Sequence, residues 1–167
     1  MAYRNKTYVA FDGDEDMRYY QLLKAWNEND NIDFDFYDAH DLNYAYDTNQ
    51  EESIKNQLRK RFDNSKLFIL LVGEKTKRLR KFIPWKIDQA LNRELPVVVV
   101  NLNGEEHLDA DRCPTKLQEE LAVHIPFKAA ILNYAVKNWP DADAKYRKEG
   151  ETGAYIYNDS VYSALGT

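Results

Sequence analysis

The sequence predicts an α/β domain: a doubly wound parallel sheet of about five strands with helices on both faces. Two continuous apolar runs, LFILLV at Leu67 to Val72 and PVVVV at Pro96 to Val100, have the pattern of parallel strands buried on both faces. Segments with helical apolar spacing separate the strand-like runs, so strand and helix alternate along the chain. In IDFDFYD, Ile32, Phe34 and Phe36 alternate with Asp33 and Asp35, which leaves one wet face and marks an edge strand. An edge position for the second strand favours the order 2-1-3-4-5 over 3-2-1-4-5-6.

Each element has its own local signal. Thr7 to Phe11 (TYVAF) is a short β-prone run that ends in the turn GDED. From Asp16, residues Tyr19, Leu22, Leu23 and Trp26 recur at i, i+3, i+4, i+7 and predict a first helix ending near Asn27. The acidic residues ahead of it favour the helix dipole. After the edge strand, Ala39 to Gln50 is a polar connection of about a dozen residues, a length often tied to function. Ile54, Leu58 and Phe62 stripe a second helix, surrounded by Lys55, Arg59, Lys60 and Arg61. Gly73 and the basic stretch Lys75 to Lys81 lead from the third strand into a helix striped by Ile83, Ile87, Ala90 and Leu91, with Pro84 in its first turn.

Beyond the fourth strand the spacing predicts a loop, a helix from Pro114 to about Leu121 and a short strand at Ala122 to Ile125. A last helix is expected over 127–138, with Phe127, Ala130, Ile131 and Tyr134 on one face. The Tyr-rich tail either adds a short edge strand or packs on the surface. Residues 1–167 read as one domain, a core of about 7–139 with a C-terminal extension, 140–167.

Composition narrows the function. With 44% hydrophobic and 13% aromatic residues in 167, the chain can bury a core of its own. A net charge of −5 offers no general field for phosphate backbones or anionic lipid, so neither nucleic acid nor membrane is an expected partner. No apolar window approaches the roughly 18 residues of a membrane span, and the N-terminus lacks a signal-peptide core, so a cytoplasmic protein is expected. Cys113 is the single cysteine, and no Cys/His cluster has zinc spacing; no metal is expected.

In the 2-1-3-4-5 order the ligand crevice lies above the carboxyl ends of the first and third strands. The loops Phe11 to Asp16, Asp38 to Gln50 and Gly73 to Trp85 would form it. Neither GxGxxG nor GxxxxGK[ST] is present, so two phosphate-cradling motifs are missing. Asp12, Asp14, Glu15 and Asp16 read either as a hard-cation loop or as acidic residues at a helix start. A receiver-type acceptor carboxylate is absent from the end of the third strand, where Val72-Gly73 stands. His40, beside Asp38 and Asp41, is either a ligand-orienting group at the crevice or a solvated loop histidine. His107 and His124 have no patterned partners. The basic stretch reads as an anion contact or as a solvated loop.

The segments YVAFDGDEDMRYYQLLKAW, IDFDFYDAHD, IKNQLRKRFDNSKLFILLVGEKT, FIPWKIDQAL and PVVVVNLNG follow one another in an order that resembles the bacterial TIR-like family, which includes ThsB of Thoeris antiphage defence. The resemblance runs from about Thr7 to Trp139. It implies a flavodoxin-like sheet, cleavage of NAD⁺ at the nicotinamide–ribose bond, and a cyclic-ADP-ribose-like signal that reaches a separate effector by diffusion. It also implies self-association through TIR–TIR contacts. NAD⁺ enters as substrate or ligand, with no resident cofactor. On this resemblance Phe11, Asp12, Asp14, Asp41 and Trp85 would shape the nucleotide pocket, and Asp38 and His40 would meet ribose hydroxyls.

Bond cleavage of this kind passes through a cation-like ribosyl centre, which wants a carboxylate nearby. The family places a Glu directly after the helix Trp, whereas this chain reads Trp85-Lys86-Ile87. A cation 4 Å from developing positive charge costs about 1 to 4 kcal/mol between water-like and surface-like dielectrics. On an ordinary helix Asp88 lies roughly 200° from Lys86 and cannot replace the Glu. Gln89, the position in a longer-spaced alignment, is not acidic. An NAD⁺ glycohydrolase or cyclase and a catalytically silent nucleotide-binding or adaptor module both remain open from the sequence.

Overall fold

A computed structural model describes residues 6–28, 35–37 and 51–166. In chain order it contains β1 (Lys6–Ala10), α1 (Met17–Glu28), β2 (Asp35–Tyr37), α2 (Glu51–Asp63), β3 (Leu67–Val72), α3 (Phe82–Asn92) and β4 (Val97–Asn101). It continues with α4 (Thr115–Gln118), β5 (Ala122–Pro126), α5 (Ala129–Lys148), β6 (Ala154–Tyr155) and α6 (Asp159–Ala164). A 3₁₀ turn, Thr76–Arg78, precedes α3.

All described pairings are parallel, in the order β2-β1-β3-β4-β5-β6. The edge place of β2 and the 2-1-3-4-5 core agree with the sequence pattern. Along β1, β3, β4 and β5 side chains alternate between two cores. Val9, Ile69, Leu71, Val98, Val100, Val123 and Ile125 face α1, α5 and α6. Tyr8, Ala10, Phe68, Leu70, Val72, Val97 and Val99 face α2, α3 and α4. Every residue of β3 is buried, as a continuous apolar run requires when both faces are covered. Behind β1, Tyr8 stacks on Phe62 of α2 with ring centroids 3.9 Å apart.

The helix stripes hold in part. Ile54, Leu58 and Phe62 are buried on α2, and Ile83, Ile87 and Ala90 on α3. On α1 the buried residues are Tyr20 and Leu23, while Leu22 is 44% exposed. The expected stripe was rotated by placing Leu22 inside; the larger Tyr20 takes that position, stacked on Phe11 at 4.5 Å.

The C-terminal part departs most from the sequence expectation. α5 does not stop at Asn138 but runs 20 residues to Lys148, with Pro140 inside it. A proline costs an interior helix about 3 kcal/mol. Burial of Leu132, Ala135, Val136 and Trp139 along one stripe, with Ala142 and Tyr146 packed on the same core beyond the proline, outweighs it. The helix ends in a Schellman arrangement: Gly150 has φ +78°, its N–H donates to Arg147 O (3.1 Å) and Glu151 N–H donates to Tyr146 O (2.8 Å). The expected stripe of Phe127, Ala130, Ile131 and Tyr134 gives way accordingly; of these only Ile131 is buried, and Phe127 precedes the helix. Tyr146 and Tyr155 stack at 4.5 Å beside Trp139, which ties β6 onto the sheet. The tail thus adds an edge strand, and the boundary drawn at 139/140 falls inside a helix.

Among the described residues no helix is long and apolar enough to cross a membrane.

Candidate functional site

β1 and β3 are neighbours whose following helices go to opposite faces, α1 to one and α3 to the other. Their loops therefore diverge, and the crevice left between them is the usual ligand position of such a sheet. A cleft of about 230 Å³ opens there. One wall is the loop after β1, Phe11 to Asp14; the other is Leu79, Arg80 and Lys81 with Phe82, Ile83 and Lys86 of α3.

The β1 loop is held by its own polar groups. Asp12 O accepts the Asp16 N–H at 2.8 Å, and Asp12 Oδ1 accepts the Asp14 N–H at 3.1 Å. Asp16 O accepts the N–H groups of Tyr19 and Tyr20, which starts α1. The Asp16 side chain is buried against Gly73, the first residue after β3. A Cβ at Gly73 would collide with that carboxyl, so glycine is what lets the two loops close on each other. Asp16 Oδ2 has no hydrogen-bond partner among the described residues. Burial, helped by the neighbouring Asp12 and Glu15 charges, raises this carboxyl to about 6. Gly73 N–H donates to Oγ1 of the fully buried Thr76 at 2.8 Å, which shapes the opposite wall. At the rim Lys75 bridges to Glu15 at 3.1 Å and Lys81 to Glu51 at 3.4 Å.

Lys86 forms the deep end of the α3 wall. It is 2% exposed, and its Nζ lies 5.8 Å from the centre of the Tyr8 ring. Burial alone lowers its amine to about 8. No hydrogen bond or ion pair to Lys86 occurs among the described residues.

The candidate residues divide clearly. Phe11, Asp12, Asp14 and Lys86 line the cleft together. Trp85 does not line it among the described residues; its ring packs 6.2 Å from Phe62 and lies under Arg59 and Lys55 of α2, at 5.5 and 5.6 Å. Trp85 sits about 100° around α3 from Lys86, and its packing on Phe62, Lys55 and Arg59 of α2 turns it away from the cleft that Lys86 lines. Asp38, His40 and Asp41 lie outside the described residues. Asp88 pairs with Lys116 at 3.0 Å and Gln89 accepts from Arg93 at 2.7 Å, so both are engaged away from the cleft. His107 is exposed near Glu105, and His124 is fully buried on β5. Among the described residues no three His, Cys, Asp or Glu side chains gather as a metal site.

Gly13, Leu79 and Phe82 are not individual candidates in the sequence, although their loops are; Arg80 and Lys81 belong to the basic stretch read as an anion contact or a solvated loop, and Ile83 to the core stripe of its helix. The available signal was position: the basic stretch follows directly on a central strand at the switch point.

Sheet order and cleft define a flavodoxin-like α/β domain with its candidate site between the β1 and β3 loops. The family model for the TIR-like domain of the Thoeris protein ThsB matches residues 8–107, more than half of the chain. The chain belongs to this family and is a Thoeris-type TIR-like protein. The matched stretch runs from β1 past β4 and contains every described residue of the cleft.

Proposed function

We propose that this chain is a nucleotide-binding signalling domain of a Thoeris-type antiphage system, holding NAD⁺ or a related nucleotide in the β1/β3 cleft without cleaving it. One observation carries the reading: the cleft position where the resemblance calls for a carboxylate holds the buried ammonium of Lys86. Asp88, the single acidic residue of α3, is paired with Lys116 and does not substitute. A cation there opposes the positive charge that develops on a departing ribosyl group. The domain would work in the cytoplasm and self-associate through TIR–TIR contacts, with its bound state as the signal.

A second reading has its own support. Asp12 and Asp14 line the wall opposite α3. A carboxylate from that loop could stand by the ribosyl centre, and the chain would then cleave NAD⁺ and send a diffusible nucleotide to an effector. Incubation of concentrated protein with NAD⁺, followed by mass spectrometry, separates the two. The binding reading expects intact NAD⁺ with the unmodified chain and released nicotinamide with Lys86→Glu. Nicotinamide release by the unmodified chain would overturn it and send the chemistry to Asp12 or Asp14.

A further inference from the structure

We propose that the α3 end of the cleft is a phosphate site in which Lys86, Arg80 and the first turn of α3 hold a phosphate of the bound nucleotide. This deepens the nucleotide-binding reading and rests on it. Charge is divided across the cleft: the β1 loop contributes Asp12 and Asp14, and the other wall contributes Arg80, Lys81 and Lys86. A nucleoside diphosphate is divided in the same sense, since its sugar hydroxyls donate to carboxylates and its phosphates take cations. The matching orientation puts ribose toward Asp12 and Asp14 and phosphate toward α3.

Two independent features mark the phosphate end. Lys86 is 2% exposed, faces the cleft and has no ion pair or hydrogen bond among the described residues. An ammonium taken out of water with only the face of the Tyr8 ring beside it is costly, and a ligand anion would supply the ion pair it lacks. The N-terminus of α3 lines the same space through Phe82 and Ile83, and no side chain caps it. The N–H groups of Phe82 and Ile83, with Pro84 next in the turn carrying none, form an anion-attracting end at this uncapped helix start. Phe82 and Lys86 are spaced i, i+4 on an 11-residue helix, so the helix end and the ammonium act on one side. Lys81 is partly neutralised by Glu51, which leaves Lys86 and Arg80 as the principal charges.

The test is calorimetric binding of ADP-ribose and of inorganic pyrophosphate to the full chain and to Lys86→Met, with melting curves to show that both are folded. The site requires ADP-ribose to bind the unmodified chain and to lose about tenfold or more in Lys86→Met. It also requires the affinity of the unmodified chain to fall as pH rises through about 8, where the amine loses its charge, while Lys86→Met stays flat. A merely structural role for Lys86 would give no such pH profile. Equal ADP-ribose binding by both proteins overturns the phosphate site and leaves the nucleotide reading standing. Lys86-dependent pyrophosphate binding without ADP-ribose binding supports the site and removes the nucleotide reading. Absence of binding by either probe overturns both.

Discussion

Replacing Lys86 by methionine keeps a similar unbranched stem and removes the charge, so its effect on stability measures the burial of the ammonium. Burial lowers the amine from 10.5 to about 8. At about 1.36 kcal/mol per tenfold change in proton affinity, holding the charged form in the fold at neutral pH costs about 3 kcal/mol. Lys86→Met is therefore expected to stabilise the chain by up to that amount, the same order as the roughly 1 to 4 kcal/mol gained when buried ion pairs are replaced by apolar groups. In a domain of this size the melting temperature should rise by about 6 to 12 °C. The sign of the pH dependence follows from the lowered value. Between about 8 and 10.5 the unfolded chain still holds the proton that the folded chain has released, so the unmodified protein gains stability as pH rises. The advantage of Lys86→Met should shrink across that window. Thermal and urea unfolding of both proteins at neutral pH and at several alkaline values provide the measurement. A variant no more stable than its parent at neutral pH, or an advantage that persists to pH 10.5, would show that the ammonium is compensated within the fold. That result would also remove the energetic ground for a ligand phosphate.

Two further outcomes are expected. Gly73→Ala should destabilise the chain by about 1 to 3 kcal/mol, because the added methyl meets the Asp16 carboxyl. In urea unfolding the double variant Gly73→Ala/Asp16→Ala should lose less than the sum of the two single losses, and strict additivity would refute the contact. His124 is fully buried with both ring nitrogens unpartnered among the described residues, and burial lowers it from 6.5 to about 4. As pH falls from about 6.5 to 4 the unfolded chain takes up a proton that the folded chain refuses, so this residue withdraws up to about 3 kcal/mol of stability. Asp16, raised to about 6, acts in the opposite sense over part of that range, so the difference between the parent and His124→Leu is the informative quantity. An unchanged acid slope in His124→Leu would refute the assignment.

The cost placed on Lys86 fits a common pattern, in which a binding group lowers the stability of the unliganded fold. An apolar residue would occupy that position at less cost, and in the proposed phosphate site an anion sharing the cleft gives the cation its use.

Strand identity, layer and order were legible in the sequence because they depend on short-range patterns. The apolar runs of β3 and β4 specify two covered faces, the Ile32/Phe34/Phe36 alternation specifies an edge, and Ile54, Leu58 and Phe62 specify one helix face. The place of Lys86 after Trp85 was equally plain. What periodicity does not contain is the approach of elements distant in the chain. Only the tertiary structure separates Trp85, turned onto α2, from Lys86, turned into the cleft. It alone brings the Asp16 carboxyl onto Gly73 and decides which residues of the loop after β3, namely Leu79, Arg80 and Lys81, form the cleft wall. Local rules likewise end α5 at Pro140, whereas packing of Trp139 with Tyr146 and Tyr155 carries the helix on to Lys148 and recruits β6. A helical period states which residues share a face. Which neighbour that face meets is decided by burying apolar area against the whole sheet, a sum over contacts that no single segment encodes.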